Sequence, residues 1–288
     1  MVRAIGLMVL GMALLAASDA FIKAATRIIP MGQTMFVLSF GGSLFFIFLA
    51  QMKRIRITGP EFWARPVMMR NGFEIIGALG LIVSLATIPL ATFAAIMQAA
   101  PLVTTLGAAL FLREKVGWRR WSAIMVGFAG MLLVVRPFGA SFTGWEMFAV
   151  LGVIGLAARD LTTRLAPQSV HSLTLSVWGF ASTIPLGLVL LQASGQSMIW
   201  DNTAAVYMVG AILVTTTGYL AVTSAMRLAP VSIVAPFRYS RLIFTTGLGM
   251  LIFGERPDLQ TYLGAALVLT AGIYSFWREA QAARAHVA

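Results

Sequence analysis

The chain has 288 residues, of which 59% are hydrophobic and only 11% charged, with a mean hydropathy of +0.88. A soluble domain carries roughly 25% charged residues, so this composition excludes an ordinary soluble core and fits charges set between long apolar runs. The formal net charge of +11 does not mark a nucleic-acid binder, because the basic residues gather in alternate loops. The chain has no cysteine and two histidines, His171 and His286. This removes disulfides and thiolate zinc sites and leaves little for histidine metal ligation or catalysis, so no metal or cofactor is expected.

In chain order, hydropathy predicts ten membrane-spanning segments at 4–25, 31–51, 66–86, 89–112, 118–136, 144–163, 169–192, 203–226, 231–253 and 259–277. The start resembles a signal peptide up to Asp19, but its residues recur later in the chain, so it reads as a retained first helix. Pro89 and Pro230 break the chain at matched places, each opening a new helix, because proline disfavours helix in the residue before it.

Shifted by 141 residues, the chain lies on itself. Asp19 meets Asp160, Lys23 meets Arg164, Gly11 meets Gly152, Gly77 meets Gly218 and Glu114 meets Glu255. The copies are residues 1–136 and 144–277, joined by 137–143, with a cytoplasmic tail over 278–288. Five spans per copy is an odd number, so the second copy enters the membrane inverted. The fold expected is therefore an all-α polytopic membrane protein of two inverted five-helix repeats. Such repeats characterise alternating-access transporters.

Loop charge supports the same topology. Fifteen Lys and Arg fall on the side of the N-terminus, in the groups around Arg3, Lys53–Arg70, Arg113–Arg120, Arg159–Arg164, Arg227 and Arg278–Arg284. Four (Lys23, Arg27, Arg136 and Arg256) fall opposite. This predicts both termini in the cytoplasm.

A charge at the centre of a span costs at least about 2.5–3.5 kcal/mol, which makes each one a functional candidate. Glu74 in the third span and Arg238 and Arg241 in the ninth lie at similar depth. The expectation is that Glu74 pairs with one of these arginines beside a cavity, one arginine meeting a substrate carboxylate; a bridge that only locks two helices, or snorkelling arginines, is the alternative. Gln98 and Tyr239 are equivalent in the repeat and suit a binding cavity, as do Thr215, Tyr219 and Trp178, each with a packing role as its alternative. Asp19 with Lys23, and Asp160 with Arg164, are spaced four apart and read as gate or helix-end bridges; Asp19 is also a candidate carrier of a coupling proton. Pro101 and Pro236 sit inside spans next to Gln98 and Tyr239 and are candidate bending points. The glycines, Gly77, Gly80, Gly127, Gly130, Gly247 and Gly249 among them, permit close helix contact.

Two segments carry a family likeness. One is Pro89-Leu-Ala-Thr-Phe-Ala-Ala-Ile-Met-Gln-Ala-Ala-Pro101, running to Leu112-Arg113-Glu114-Lys115. The other is Pro230-Val-Ser-Ile-Val-Ala-Pro236, running to Phe253-Gly254-Glu255-Arg256-Pro257. A helix entered at proline, ended by a "G/R-E" turn and followed by a glycine-rich helix resembles the EamA-type exporters of the drug/metabolite transporter superfamily, over nearly all of residues 3–277. More narrowly the chain resembles the YddG-type bacterial exporters of aromatic and other amino acids.

The resemblance implies a central cavity built mainly from the third, fourth, eighth and ninth spans, a small-molecule substrate and a bacterial inner-membrane location. It leaves proton coupling open. A transporter of the same fold for a sugar, nucleoside or drug-like solute is the alternative, and a non-transporting scaffold a further one. No Walker A, HExxH or Gly-x-Ser-x-Gly pattern occurs, so neither ATP use nor enzymatic activity is expected.

Overall fold

The computed structural model describes residues 1–113, 117–137, 139, 142–167, 169–229 and 231–285. Every regular element among the described residues is a helix, and no strand occurs among them. The helices are α1 (Val2–Thr26), α2 (Met31–Met52), α3 (Arg65–Thr87), α4 (Leu90–Met97), α5 (Ala100–Phe111), α6 (Trp118–Val135), α7 (Glu146–Arg164), α8 (Ser172–Ala193), α9 (Asn202–Leu228), α10 (Val231–Val234), α11 (Ser240–Phe253) and α12 (Leu259–Ala285). They make ten spans, because α4 with α5, and α10 with α11, each form one interrupted span.

Seven spans are long and apolar enough to cross a membrane by that measure alone. The other three depart from it for visible reasons. The fifth is apolar only over Trp121–Val135, the sixth carries Arg159, Asp160 and Arg164, and the ninth is broken at Ala235–Tyr239 by a 3-10 turn.

Two compact units form, and they cut across the sequence copies. Unit 1 holds Met1–Ala20, Ile88–Met147 and Thr217–Ala288, and unit 2 holds Phe21–Thr87 and Phe148–Thr216. In unit 1, α4 packs on α11 and α6 on α12; in unit 2, α2 and α3 pack on α8. Two of these pairs, α2 with α8 and α6 with α12, join a helix to its own repeat counterpart, and α4 with α11 joins halves of the equivalent fourth and ninth spans. Neither copy is a separate bundle.

The matched glycines become matched crossings. In unit 1 a Cβ on Gly11 would lie 3.0 Å from the Gly218 carbonyl oxygen. In unit 2 a Cβ on Gly80 would run into the backbone nitrogen of Gly152. The first helix of each copy thus crosses the third helix of the other at glycine, where backbones approach closely. Gly247 departs from the expectation, since nothing lies within 4 Å of the space its Cβ would take.

The "G/R-E" turn also has a physical account. Gly254 ends α11 at φ +65°, and the Glu255 N–H returns to the Gly249 carbonyl at 3.1 Å, a helix-terminating arrangement. Its repeat partner Arg113 takes φ +54°, the same left-handed conformation, which glycine adopts without a Cβ penalty. Glu255 then reaches the start of α4. Its Oε1 accepts the Leu90 N–H at 2.9 Å and its Oε2 the Ala91 N–H at 3.3 Å. Leu90 and Ala91 are buried, so these helix-start donors have no water to bond and a carboxylate is a favourable partner. Glu114, its counterpart in the motif, and Pro230 lie outside the described residues.

At the start of α12, Asp258 caps the helix. Its Oδ1 accepts the Thr261 N–H at 3.0 Å and the Thr261 hydroxyl at 2.7 Å, and it pairs with Arg136 at the end of α6. The Arg136 guanidinium, then the Thr261 donors, hold the Asp258 carboxyl well below the usual carboxylate range. A depressed carboxylate contributes stability above its unfolded value of about 3.9 and loses it only as pH falls toward the folded value. Asp258→Ala is therefore expected to lower stability by about 1 kcal/mol at any pH from 5 to 8. The deficit narrows only below about pH 4; thermal unfolding in detergent across that range measures it.

Candidate functional site

Unit 1 holds ionised and polar groups beside a break in a span. Residues Ala235–Tyr239 form a 3-10 turn containing Pro236, between α10 and α11. The equivalent break in the fourth span lies at Gln98–Ala99, before Pro101. A proline lacks the N–H that would close the helix ladder, which is why the regular hydrogen bonding lapses at both places. The two breaks touch. The Gln98 Nε2 donates to the Tyr239 carbonyl oxygen at 3.2 Å, so a side chain at one break bonds the backbone at the other.

Just beyond the ninth-span break, Arg241 on α11 clasps Asp19 on α1. Its Nη2 donates to Asp19 Oδ1 at 2.7 Å and Oδ2 at 2.9 Å, and its Nε to Oδ2 at 3.1 Å. The Thr245 hydroxyl adds a contact at 3.5 Å. Asp19 is 2% exposed, so its carboxyl group is satisfied by Arg241 and not by solvent. Tyr239 is also buried. Its ring packs edge-on against Phe276 and its hydroxyl abuts Gly272, where a Cβ would run into it. That hydroxyl has no hydrogen-bond partner among the described residues.

Unit 2 holds a separate network. Arg70 on α3 pairs with Glu74 one turn on, at 2.7 Å. The Arg159 guanidinium on α7 reaches Glu74 at 3.2 Å and Asp160 at 2.7 Å. Arg70 is buried and also donates to the Asn71 side chain at 3.0 Å. Two positive and two negative groups thus tie α3 to α7.

The expected pairing of Glu74 with Arg238 or Arg241 is corrected. Glu74 is engaged by Arg70 and Arg159, and Arg241 by Asp19. Equal depth in the bilayer was not a guide to pairing, because depth carries no information on which helix faces pack together. Arg70 and Arg159, placed among the loop charges by the sequence, belong to the buried network; the four-residue spacing of Arg70 and Glu74 was the available signal.

Trp178 is built into a loop anchor. Its indole N–H donates to the Ile57 carbonyl oxygen at 2.7 Å, and its ring lies 4.1 Å from that of Phe62 between centroids. Thr215 and Tyr219 are half-buried on α9. Lys23 is buried, whereas Arg164 is exposed at the end of α7.

A duplicated set of helical spans, two of them interrupted at equivalent positions near a proline, with ionisable groups inside, defines a polytopic membrane transport protein. The EamA-like transporter family matches the chain twice, at residues 2–136 and 143–277. The chain belongs to this family.

A riboflavin transporter of Rhizobium johnstonii is 30% identical over 204 residues, covering 69% of this chain and 67% of that protein. A pseudopaline exporter of Pseudomonas aeruginosa is 26% identical over 266 residues, covering 88% and 89%. An S-adenosylmethionine uptake transporter of Rickettsia bellii is 24% identical over 220 residues, covering 75% and 73%. One crystal structure matches with a TM-score of 0.59 over 93% of this chain and 94% of that one, at 14% identity, a likeness of fold alone. The family and these relatives are transporters of small molecules, and their names do not specify aromatic amino acids.

Proposed function

We propose that the chain exports small organic metabolites bearing ionisable groups from the bacterial cytoplasm by alternating access, with amino acids, aromatic ones included, as the leading substrate class. The observation that carries this reading is the contrast between what is duplicated and what is single. Crossings at glycine and breaks near proline occur in both copies and build the scaffold. Five of the intramembrane charges occur once: the repeat partners of Arg70, Glu74, Arg159, Arg238 and Arg241 are Ala211, Thr215, Ser18, Met97 and Ala100, whereas the carboxylates Asp19 and Asp160 recur in both copies. Charged groups inside a span are expensive, and a scaffold satisfied by its duplicated contacts does not need them. They suit recognition of a charged solute.

In this reading the touching breaks at Gln98 and Tyr239 are the points at which the fourth and ninth spans bend together. The Asp19–Arg241 pair holds α1 to α11 beside the bend, and the Glu74 network holds α3 to α7. Both termini lie in the cytoplasm. A flavin is the second reading, favoured by the riboflavin transporter at 30% identity.

Counterflow in liposomes containing only this protein tests the proposal. Labelled phenylalanine, leucine, riboflavin and glucose are offered against an internal pool of the same unlabelled solute. Accumulation of the amino acids supports the first reading and accumulation of riboflavin alone the second. A panel that never exceeds protein-free liposomes rejects both.

A further inference from the structure

Arg238 occupies a singular place. It lies seven residues into the ninth span, on the 3-10 turn Ala235–Tyr239 and not on a regular helix. Irregular backbone at membrane depth is tolerated only where it is buried in protein or lines a water-filled space, so this turn does not belong against lipid tails. Arg238 is half-buried. Each of the other span charges just described has a carboxylate or guanidinium partner: Asp19 with Arg241, Arg70 and Arg159 with Glu74, Arg159 with Asp160. Among the described residues Arg238 has none. Asp19 engages Arg241, so at the break in unit 1 Arg238 is the guanidinium left without a carboxylate partner among the described residues.

We infer that Arg238 is the residue that receives the anionic group of the transported solute, a carboxylate held by the guanidinium fork at the break of the ninth span. This deepens the proposed function and rests on it. A guanidinium presents two parallel N–H donors matched to a carboxylate. Arg241 uses that geometry on Asp19 and is thereby occupied, while Arg238, three residues earlier, has its fork open. Solute binding there supplies the missing negative charge. The neighbouring Gln98 side chain and Tyr239 carbonyl are where the two interrupted spans meet, so charge neutralisation occurs where the spans bend.

The test compares a carboxylate solute with its amide. Counterflow of labelled phenylalanine is competed by unlabelled phenylalanine or phenylalaninamide, in the wild type and in Arg238→Gln and Arg238→Lys. The wild type is expected to prefer phenylalanine. Arg238→Gln is expected to weaken phenylalanine roughly tenfold or more while leaving the amide nearly unchanged, so the preference collapses within one variant irrespective of how much protein is active. Arg238→Lys keeps the charge without the fork and is expected to retain part of the preference; it decides the matter if Arg238→Gln fails to insert. Wild-type flux with the preference intact in these variants overturns the inference alone, and is the result expected if Arg238 instead meets a lipid phosphate. Wild-type flux of riboflavin but of no carboxylate also overturns it. An absence of flux for every solute overturns the transporter reading and this inference together.

Discussion

Asp19→Ala is expected to destabilise the protein by about 3–5 kcal/mol, the cost of leaving a partly buried charge without its partner. The orphan is Arg241, which makes three hydrogen bonds to the Asp19 carboxylate and is about a quarter exposed. The double variant Asp19→Leu/Arg241→Met is expected to recover to within about 1 kcal/mol of the wild type, because replacing both members of a buried pair by apolar groups is often neutral or better. Thermal unfolding of the four proteins in detergent gives the cycle. Flux in the same proteins separates bracing from transport chemistry. If the pair only holds α1 to α11, the double variant regains transport as well as stability. A stable but silent double variant would instead make Asp19 a participant, as in the proton-carrier alternative.

Glu255→Ala is expected to cost about 2–4 kcal/mol. The carboxylate satisfies two buried backbone donors, those of Leu90 and Ala91, and each buried donor left bare costs about 1–3 kcal/mol. Glu255→Gln retains one carbonyl acceptor and is expected to lose about half as much. The effect should be local: hydrogen exchange of the first turn of α4 rises in Glu255→Ala while that of α12 does not. Equal exchange in the wild type and Glu255→Ala would show that the cap carries no weight.

Much of this arrangement was legible in the sequence. Hydropathy and proline placed the ten spans within a few residues of the helices, since a span must bury its own backbone and cannot hide its length. The exception is α12, which runs to Ala285, past the predicted end at 277. The repeat matched Gly11 with Gly152 and Gly77 with Gly218 as equivalent positions, and small residues there permit close helix contact. It did not say which copy supplies the partner: Gly11 meets Gly218 and Gly80 meets Gly152, so first and third helices cross between copies, and the units differ from the repeats.

The site was less legible. Hydropathy reports how deep a residue lies, while a partner depends on which helix face it occupies and which helix lies opposite. Glu74 was therefore assigned to the wrong arginines, and Arg159 was read as a loop charge although it reaches Glu74 at 3.2 Å. Trp178 looked free for stacking because its partner, the Ile57 carbonyl, lies in a connecting segment with no hydropathy signal. The breaks near Gln98 and Tyr239 were foreseeable, since Pro101 and Pro236 remove a donor at known positions.

Antiparallel duplication is the central claim, and the chain offers a clean way to test it, because it contains no native cysteine. Ile28 follows α1 and Ser169, its repeat partner, follows α7. A membrane-impermeant maleimide applied to intact cells is expected to label Ile28→Cys, and to label Ser169→Cys only once the membrane is opened. Labelling of both from the same face would contradict the inverted arrangement and the transport mechanism built on it.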